Sequence, residues 1–207
     1  WRRVIEYRTQ QIKRMTNIKV YMDSRLTAKD IFSYEFDHIF IATGAHWRRD
    51  GVSRWHTAPV EHFDGGRIFT PDDIMAGVEP SGPVILFDDD HYYIGAVLAE
   101  KLQTMGLDVT LVTPASVVGE WSFNTEEQVR AQGRLLNLGI KILTGMAVSA
   151  FNGDSAELTC VYTEKSFQQS AASLVTVTAR RPNDELYYQL TSNPDVLKES
   201  GIKSVQR

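Results

Sequence analysis

The stretch Pro83–Thr113, PVILFDDDHYYIGAVLAEKLQTMGLDVTLVT, decides the fold. Val84–Phe87 is a short apolar run, typical of a buried parallel strand, and Val109–Val112 is a second one. Between them lies a predicted helix, which Gly106 follows at the usual position of a C-terminal glycine. The helix is indicated by the apolar residues Ile94, Val97, Leu98, Leu102 and Met105. The sequence therefore predicts a βαβ unit, the core of dinucleotide-binding folds.

The loop of this unit departs from the glycine-rich fingerprint G-x-G-x-x-G. With the third glycine on Gly95, the first falls on Asp90 and the second on Tyr92, so only the third is present. The second glycine normally lets the backbone approach a pyrophosphate, and a tyrosine side chain would occupy that space. The sequence predicts a Rossmann-like unit that has lost nicotinamide binding.

Charge in the same loop supports this interpretation. Asp88, Asp89 and Asp90 bring negative charge to a place that would have to accept a diphosphate. One like-charge contact at about 4 Å costs about 4 kcal/mol at an effective dielectric constant near 20. The favourable interaction of a negative charge with the helix N-terminus offsets only roughly 0.3–1 kcal/mol of this repulsion per charge. Repulsion therefore dominates unless a cation intervenes.

Composition excludes several classes of protein. The chain has 207 residues, 43% of them hydrophobic, and a net charge of −4, so it can build a core and shows no basic footprint for nucleic acid. It has no apolar run of about 20 residues and no secretory signal, which predicts a cytoplasmic protein without membrane association. The single cysteine, Cys160, lies in a strand pattern and is expected to be buried. Because the chain begins at Trp1 and ends at Arg207 without an obvious stop, we expect it to be a fragment of a larger protein.

Asp37–Gly44, DHIFIATG, is the second strong signal. Ile39–Ala42 predicts a buried strand, and Gly44 a tight turn after it. The crossing segment Ala45–Phe69 contains three histidines, but their spacing matches no standard metal-ligand pattern, so we expect packing or surface roles. Thr70–Gly77 has the signals of a complete short helix, with Thr70 as N-cap and Gly77 as the stop.

The remaining elements follow from periodicity and caps. A capping box of Asn124 with Glu127 predicts the start of a helix with an apolar face, and Gly139 predicts where this helix ends. The three strand-like segments after Leu143 suggest a small antiparallel meander. Arg180 and Arg181 are expected to be surface charges rather than an anion site. The other predicted elements are a helix over Trp1–Met15 with a solvated basic face, a strand over Asn17–Met22, a short helix over Leu26–Phe32 capped by Thr27 with Asp30, strands over Ile140–Leu143, Val148–Phe151, Glu157–Tyr162 and Ser173–Thr178, and a helix over Glu185–Leu190. The apolar residues expected to line the helix that ends at Gly139 are Val129, Leu135, Leu136 and Leu138.

The order of these signals resembles the C-terminal half of the trimethylamine dehydrogenase group of NADH:flavin oxidoreductases. The resemblance is carried by Asp37–Gly44, Thr70–Gly77, Val84–Leu102 and Ala179–Asn183. The loop Asp88–Gly95, DDDHYYIG, is most similar to the dimethylamine and histamine dehydrogenase branch, N-methylproline demethylase-like members included.

The resemblance implies a multidomain parent. Such proteins carry an N-terminal TIM barrel with FMN, a four-cysteine 4Fe-4S site and two dinucleotide-fold domains similar to those of glutathione reductase, the first of which can hold ADP or FAD. They oxidise the carbon–nitrogen bond of an amine and pass electrons to an electron-transfer flavoprotein, and we expect a homodimer. The barrel and the cluster cysteines are absent from this sequence, so no cofactor, metal ligand or catalytic residue is expected on it.

The implied fold is α/β, a Rossmann-like three-layer nucleotide-binding domain of the glutathione-reductase-like FAD/NAD(P) type with a small antiparallel meander. The first nucleotide domain would contain residues 1–50 and 183–207. A crossing loop and short helix would occupy residues 51–82, and the second nucleotide domain residues 83–182. The residues of a degenerate nucleotide site would be Asp90, Tyr92, Gly95 and Gly44.

Two alternatives remain open. The chain could be the NAD(P)H-binding domain of a 2,4-dienoyl-CoA reductase type of enzyme, against which the glycine-poor loop argues. No arginine or acidic residue follows Val112 directly to meet a 2′-phosphate or a ribose. Alternatively it could be a structural or docking module, in which Asp88–Tyr93 and Ala45–Phe69 present an aromatic and acidic surface to a partner.

Overall fold

The computed structural model describes residues 2–63 and 66–207. Trp1, the first residue of one predicted helix, and Asp64 and Gly65, in the crossing segment, lie outside the described residues. The helices are α1 (Arg2–Arg14), α2 (Ala28–Phe32), α3 (Pro71–Met75), α4 (Tyr93–Thr104), α5 (Gln128–Asn137), α6 (Glu185–Thr191) and α7 (Pro194–Glu199), with a 3₁₀ helix at Glu120–Thr125. The strands are β1 (His38–Phe40), β2 (Ala45–Trp47), β3 (Ile68–Phe69), β4 (Val84–Asp88), β5 (Val109–Thr113), β6 (Lys141–Thr144), β7 (Met146–Phe151), β8 (Ser155–Cys160), β9 (Ser166–Ser170), β10 (Ser173–Val177), β11 (Arg180–Pro182) and β12 (Ser204–Gln206). Among the described residues, no helix has both the length and the apolar character needed to cross a membrane.

The contacts divide the chain into two units, and the second is the contiguous segment Thr43–Asn183. Its centre is a five-stranded parallel sheet in the order β3-β10-β4-β5-β6. The predicted βαβ unit is confirmed, since β4, α4 and β5 follow one another and β4 pairs in parallel with β5. The α/β class is therefore confirmed.

Side chains alternate across the central sheet and build a core on each face. Val84 and Leu86 of β4 pack in one apolar cluster with residues of α4 and α5, such as Leu98 and Leu135. Ile85 and Phe87 point to the opposite face and pack with residues of the antiparallel strands β7 and β8. Helices and a second sheet thus cover the two faces of the parallel sheet, which buries β4 completely.

The meander exists, but its third strand differs from the predicted one. β7, β8 and β9 form a three-stranded antiparallel sheet. The predicted strand at Ser173–Thr178 is β10, which instead lies between β3 and β4 in the parallel sheet. β9 was missed because its sequence, SFQQS, is polar and mostly exposed, so it lacks the alternation that identifies a half-buried strand.

Three further predictions in this unit are wrong. Asn124 lies in the 3₁₀ helix and does not cap α5, which starts only at Gln128. Val129 is 71% exposed and Leu136 is also exposed, whereas Leu135, on the inner face of α5, is buried in the core. Cys160 is half-buried rather than buried, since it ends the strand β8.

The other unit consists of the residues up to Ala42 together with Asp184–Arg207. β1 pairs in parallel with β12, and α2 has the predicted capping box, in which the Asp30 carboxylate accepts the Thr27 N–H at 2.8 Å. The predicted strand at Asn17–Met22 does not form, because within the described chain it has no neighbouring strand and stays exposed. The segment Ile39–Ala42, predicted as a buried strand, is not buried either: Phe40 is 73% exposed and Ile39 and Ile41 are half-buried, since this sheet has only two strands.

Candidate functional site

The candidate site is the carboxylate loop, Asp88–Tyr92, which connects β4 to α4. It lies at the carboxyl end of β4, whose neighbours in the sheet are β10 and β5. Open α/β sheets bind ligands outside the carboxyl ends of their strands, so this is where a ligand would be expected. The Asp89 N–H donates to the Val177 carbonyl at 2.9 Å, which extends the pairing of β4 with β10 into the loop.

Asp88 lies beneath the loop and is 0% exposed. Its Oδ1 accepts the Asp90 N–H at 3.2 Å, whereas Oδ2 has no hydrogen-bond partner among the described residues. The carboxyl group packs directly on Gly95, where a Cβ atom would lie only 2.3 Å from Oδ2. Burial raises the pKa of Asp88 to about 7, despite the opposing effect of nearby His91.

Asp89 and His91 form a buried ion pair, with Nε2 of His91 2.9 Å from Oδ1 of Asp89. Asp89 Oδ2 also accepts the backbone N–H of Trp55 at 2.7 Å. Burial alone would raise the pKa of Asp89 and lower that of His91. Their mutual contact opposes both effects, so the pKa of His91 is raised, and together with hydrogen bonds from Ser53 and Trp55 it lowers the pKa of Asp89. His91 has a φ of +62°, and its Nδ1 is buried without a partner among the described residues.

Asp90 completes the row of buried carboxyl groups. Its Oδ1 lies 3.5 Å from the guanidinium of Arg180, which also stacks over Trp47 at 4.8 Å. Burial raises the pKa of Asp90, and Arg180 opposes that shift. The repulsion of a diphosphate by three ionised aspartates is therefore smaller than the sequence suggests, because all three side chains are buried and two have raised pKa values.

Aromatic side chains cover the outer side of the loop. Tyr92 makes an edge-to-face contact with Trp121, whose ring centroid lies 5.3 Å away. The guanidinium of Arg54 stacks over the same indole at 3.9 Å, and the backbone N–H of Trp121 donates to the His91 carbonyl at 3.0 Å. Gly119 approaches so closely that a Cβ atom there would lie 3.2 Å from the Tyr92 carbonyl. Trp121 therefore joins the 3₁₀ helix to the loop.

The structure brings together three of the four predicted site residues. Asp90 and Tyr92 lie in the carboxylate loop, and Gly95 lies in the first turn of α4. Gly44 lies outside the loop, next to the β2–β11 pair, where its carbonyl accepts the Asn183 N–H at 2.9 Å. It has a φ of +76°. That these four residues form a degenerate nucleotide site stays a prediction.

Sequence analysis did not identify Trp121 and Arg54 as site residues. Both lie far from the loop in sequence, in irregular or 3₁₀ segments without a motif, so no local signal indicates them. The predicted docking surface was both aromatic and acidic. Its acidic part is wrong, because Asp88, Asp89 and Asp90 are buried, whereas Tyr92 and Tyr93 are exposed. That this aromatic part docks a partner stays a prediction.

The histidines of the crossing segment have separate surroundings. Nδ1 of His46 lies 3.7 Å from Asp72, and Nε2 of His56 lies 3.0 Å from the Val148 carbonyl. His62 has a φ of +66°. In residues 2–63 and 66–207, no group of three or more His, Cys, Asp and Glu side chains is arranged to hold a metal ion.

Comparisons with known proteins show what the chain is similar to. Residues 69–185 match the family described as OYE-like second alpha/beta domain. Dimethylamine dehydrogenase of Hyphomicrobium sp. (strain x) is 29% identical over 201 residues, which cover 87% of this chain and 27% of that protein. The structure of histamine dehydrogenase from Rhizobium sp. 4-9 is 42% identical with a TM-score of 0.93, over 98% of this chain and 32% of that one. A 6-hydroxypseudooxynicotine amine oxidase from Pseudomonas geniculata N1 is 36% identical with a TM-score of 0.92, over 100% and 30% of the two chains. The chain thus spans about a third or less of the length of these relatives.

Proposed function

Because the chain belongs to the family of OYE-like second alpha/beta domains and is homologous to dimethylamine and histamine dehydrogenases, we propose that it is a nucleotide-domain part of an amine-oxidising dehydrogenase. The whole enzyme acts on CH–NH donors and removes two electrons and two protons from the carbon–nitrogen bond. FMN and a 4Fe-4S cluster, held elsewhere in the whole protein, would carry these electrons to an electron-transfer flavoprotein. The whole protein is a cytoplasmic homodimer.

This part of the enzyme is noncatalytic. A four-thiolate iron–sulfur site needs four cysteines, and this chain contains one, so the cluster does not fit here. The FMN belongs to the barrel of the whole protein. A first nucleotide domain, which can hold ADP or FAD, contains residues 1–50 and 183–207. The crossing segment follows at residues 51–82. The second, Rossmann-like domain contains residues 83–182 and keeps the nucleotide-binding fold without binding a nucleotide.

The filled carboxylate loop is the observation that carries this proposal. A nicotinamide dinucleotide needs backbone close to its pyrophosphate at the start of α4. Here Tyr92 stands at that start and packs on Trp121, while Asp88 occupies the space beside Gly95. The chain's own side chains thus occupy the volume that glycines leave open in a binding loop, and the loop does not fit a nicotinamide cofactor.

Calorimetric titration with NADH, NADPH and ADP at near-millimolar ligand tests the proposal. We expect no saturable heat with NADH or NADPH. Saturation in the micromolar range would instead favour an NAD(P)H-dependent reductase of the 2,4-dienoyl-CoA reductase type. Binding of ADP alone would mean that the loop accepts a diphosphate.

Activity of the full-length protein provides the second arm of the test. We expect amines to reduce the flavin and an artificial one-electron acceptor, and NADH to leave the flavin oxidised. Flavin reduction by NADH but not by amines would contradict the proposal. The same preparation serves as its own control, because dithionite must reduce the flavin whichever donor is physiological.

A further inference from the structure

We propose that Asp88, together with the Asp89–His91 pair, forms a proton-operated latch that holds the carboxylate loop closed at acidic pH and releases it as the pH rises through neutrality. The latch is a property of the loop's own packing and does not depend on the proposed enzyme activity. The latch has three parts: the buried carboxyl group of Asp88, which has no ion-pair partner of its own; the neighbouring Asp89–His91 ion pair; and the aromatic side chains of Tyr92 and Trp121, which cover the loop.

The first part is the position of the Asp88 carboxyl group. It lies between the end of β4 and the first turn of α4, where it contacts Gly95. Its Oδ2 atom has no hydrogen-bond partner among the described residues. A protonated carboxyl group can occupy such a place at moderate cost. An ionised one requires water or a cation, which can reach it only if the loop moves away from α4.

The second part is the balance of charge around Asp88. The charged groups that act on Asp88 are His91 and Asp90 of the same loop. Beyond them, Arg54 and Arg180 act on Asp90, Arg54 also acts on His91, and His56 faces Asp89. The two other carboxylates already have partners in His91 and Arg180. Ionisation of Asp88 therefore adds a buried negative charge that His91 offsets only in part, because His91 is already paired with Asp89.

The third part is that both proton losses act in the same direction. Burial raises the pKa of Asp88 from 3.8 to about 7, so its contribution to the closed loop is fully present below 3.8 and is lost as the pH rises from there through about 7. The Asp89 contact raises the pKa of His91 above its ordinary value, so the ion pair is also lost on the alkaline side. Raising the pH weakens the latch at both points.

Three backbone hydrogen bonds report on the closed state. The N–H groups of Asp90 and Trp55 donate to Asp88 and Asp89, and that of Trp121 donates to the His91 carbonyl. Hydrogen exchange of these three amides in the whole protein, expressed as protection factors, measures latch opening directly. We expect their protection to fall at least tenfold between pH 6 and pH 8.5, while the amides of Val109–Thr113 in β5 keep theirs.

Variants separate the latch from general alkaline instability. Asp88→Asn keeps the shape of the neutral side chain and cannot ionise, so the step near pH 7 should disappear, and Asp88→Ser should do the same if the amide packs poorly. His91→Gln should keep the step but move it to higher pH, because the nearby positive charge is lost. Asp154→Asn is the matched control, since its side chain is 93% exposed and should leave the profile unchanged.

Two results would overturn the proposal. One is a wild-type profile in which protection of the three reporter amides stays constant, or falls only together with that of β5. The other is an Asp88→Asn protein that is folded, as judged by its β5 amides, and still loses protection as the wild type does.

Discussion

At the residue scale, the contact between Gly95 and Asp88 sets how closely α4 approaches β4. Helix and strand can meet here only because position 95 has no Cβ atom, which would lie within 2.3–2.9 Å of the Asp88 side chain. A glycine at this point of a βαβ unit commonly serves close helix–strand packing. Packing therefore explains why Gly95 is present in a loop that lacks the other two glycines. Nucleotide binding is not needed to explain this glycine.

Gly95→Ala should destabilise the protein by about 1–3 kcal/mol, because the new methyl group overlaps a fully buried carboxyl group. Denaturant unfolding followed by circular dichroism measures the change. In an Asp88→Ala background the same substitution should cost less, since the clashing atoms are gone.

Gly133→Ala is the matched control for that experiment. Gly133 lies inside α5, and apart from its chain neighbours and the backbone of its own helix no described atom would lie within 4 Å of a Cβ atom at this position. Alanine should stabilise the protein by about 0.5–1 kcal/mol at such a position. Equal effects of the two substitutions would contradict the packing argument.

At the element scale, α3 shows how a five-residue helix is held in place. The Asp73 carboxylate accepts the Thr70 N–H at 2.7 Å and the Thr70 hydroxyl at 2.9 Å, and it pairs with Arg49 at 2.5 Å. Burial alone would raise the pKa of Asp73, but these donors together lower it. A helix this short has almost no stability of its own, so the cap and the ion pair fix where it begins.

Asp73→Ala should therefore cost about 1–2 kcal/mol of stability near pH 7. Because the pKa of Asp73 is lowered in the folded state, its contribution is present above the ordinary value of 3.8 and is lost as the pH falls below it. Unfolding free energies of the two proteins at pH 7 and pH 3 test both statements, and the difference should shrink at pH 3. Asp30→Ala removes the exposed box of α2 and should have the smaller effect.

At the scale of the whole molecule, the buried apolar residues are distributed very unevenly. Both large apolar clusters consist of residues from within Thr43–Asn183. Among the described residues outside that segment, the buried hydrophobic ones are Ile31, Leu190 and Ile202. The contiguous segment Thr43–Asn183 therefore contains the apolar residues needed to form a hydrophobic core of its own.

Thr43–Asn183 expressed alone should fold and unfold in one cooperative transition, monitored by far-UV circular dichroism and tryptophan emission in guanidinium. Thr43–Ser170 is the control, because it lacks β10, the strand between β3 and β4 in the parallel sheet. It should not fold cooperatively. A segment Thr43–Asn183 that unfolds without cooperativity would show that its core needs the rest of the chain.

Local features of the sequence determined much of this architecture. The apolar runs of β4 and β5, the helical spacing of α4 and the cap signals of α2 and α3 each act over a few residues, so they can be recognised without knowing what packs against them. The missing fingerprint glycines are equally visible in the sequence. From these features followed the α/β class, the βαβ unit and the location of the candidate site.

Only the tertiary structure decided which strands pair and which charges are buried. β10 enters the parallel sheet and β9 the antiparallel one because of contacts with strands far away in the chain, which no local pattern encodes. The three aspartates have the composition of an exposed acidic loop, yet they are buried. His91 of the same loop and Trp55 from a distant segment supply partners for Asp89, and Arg180 from another distant segment supplies one for Asp90. The pKa of Asp88 and the cover by Trp121 depend on the same long-range contacts, and so does the chemistry of the site.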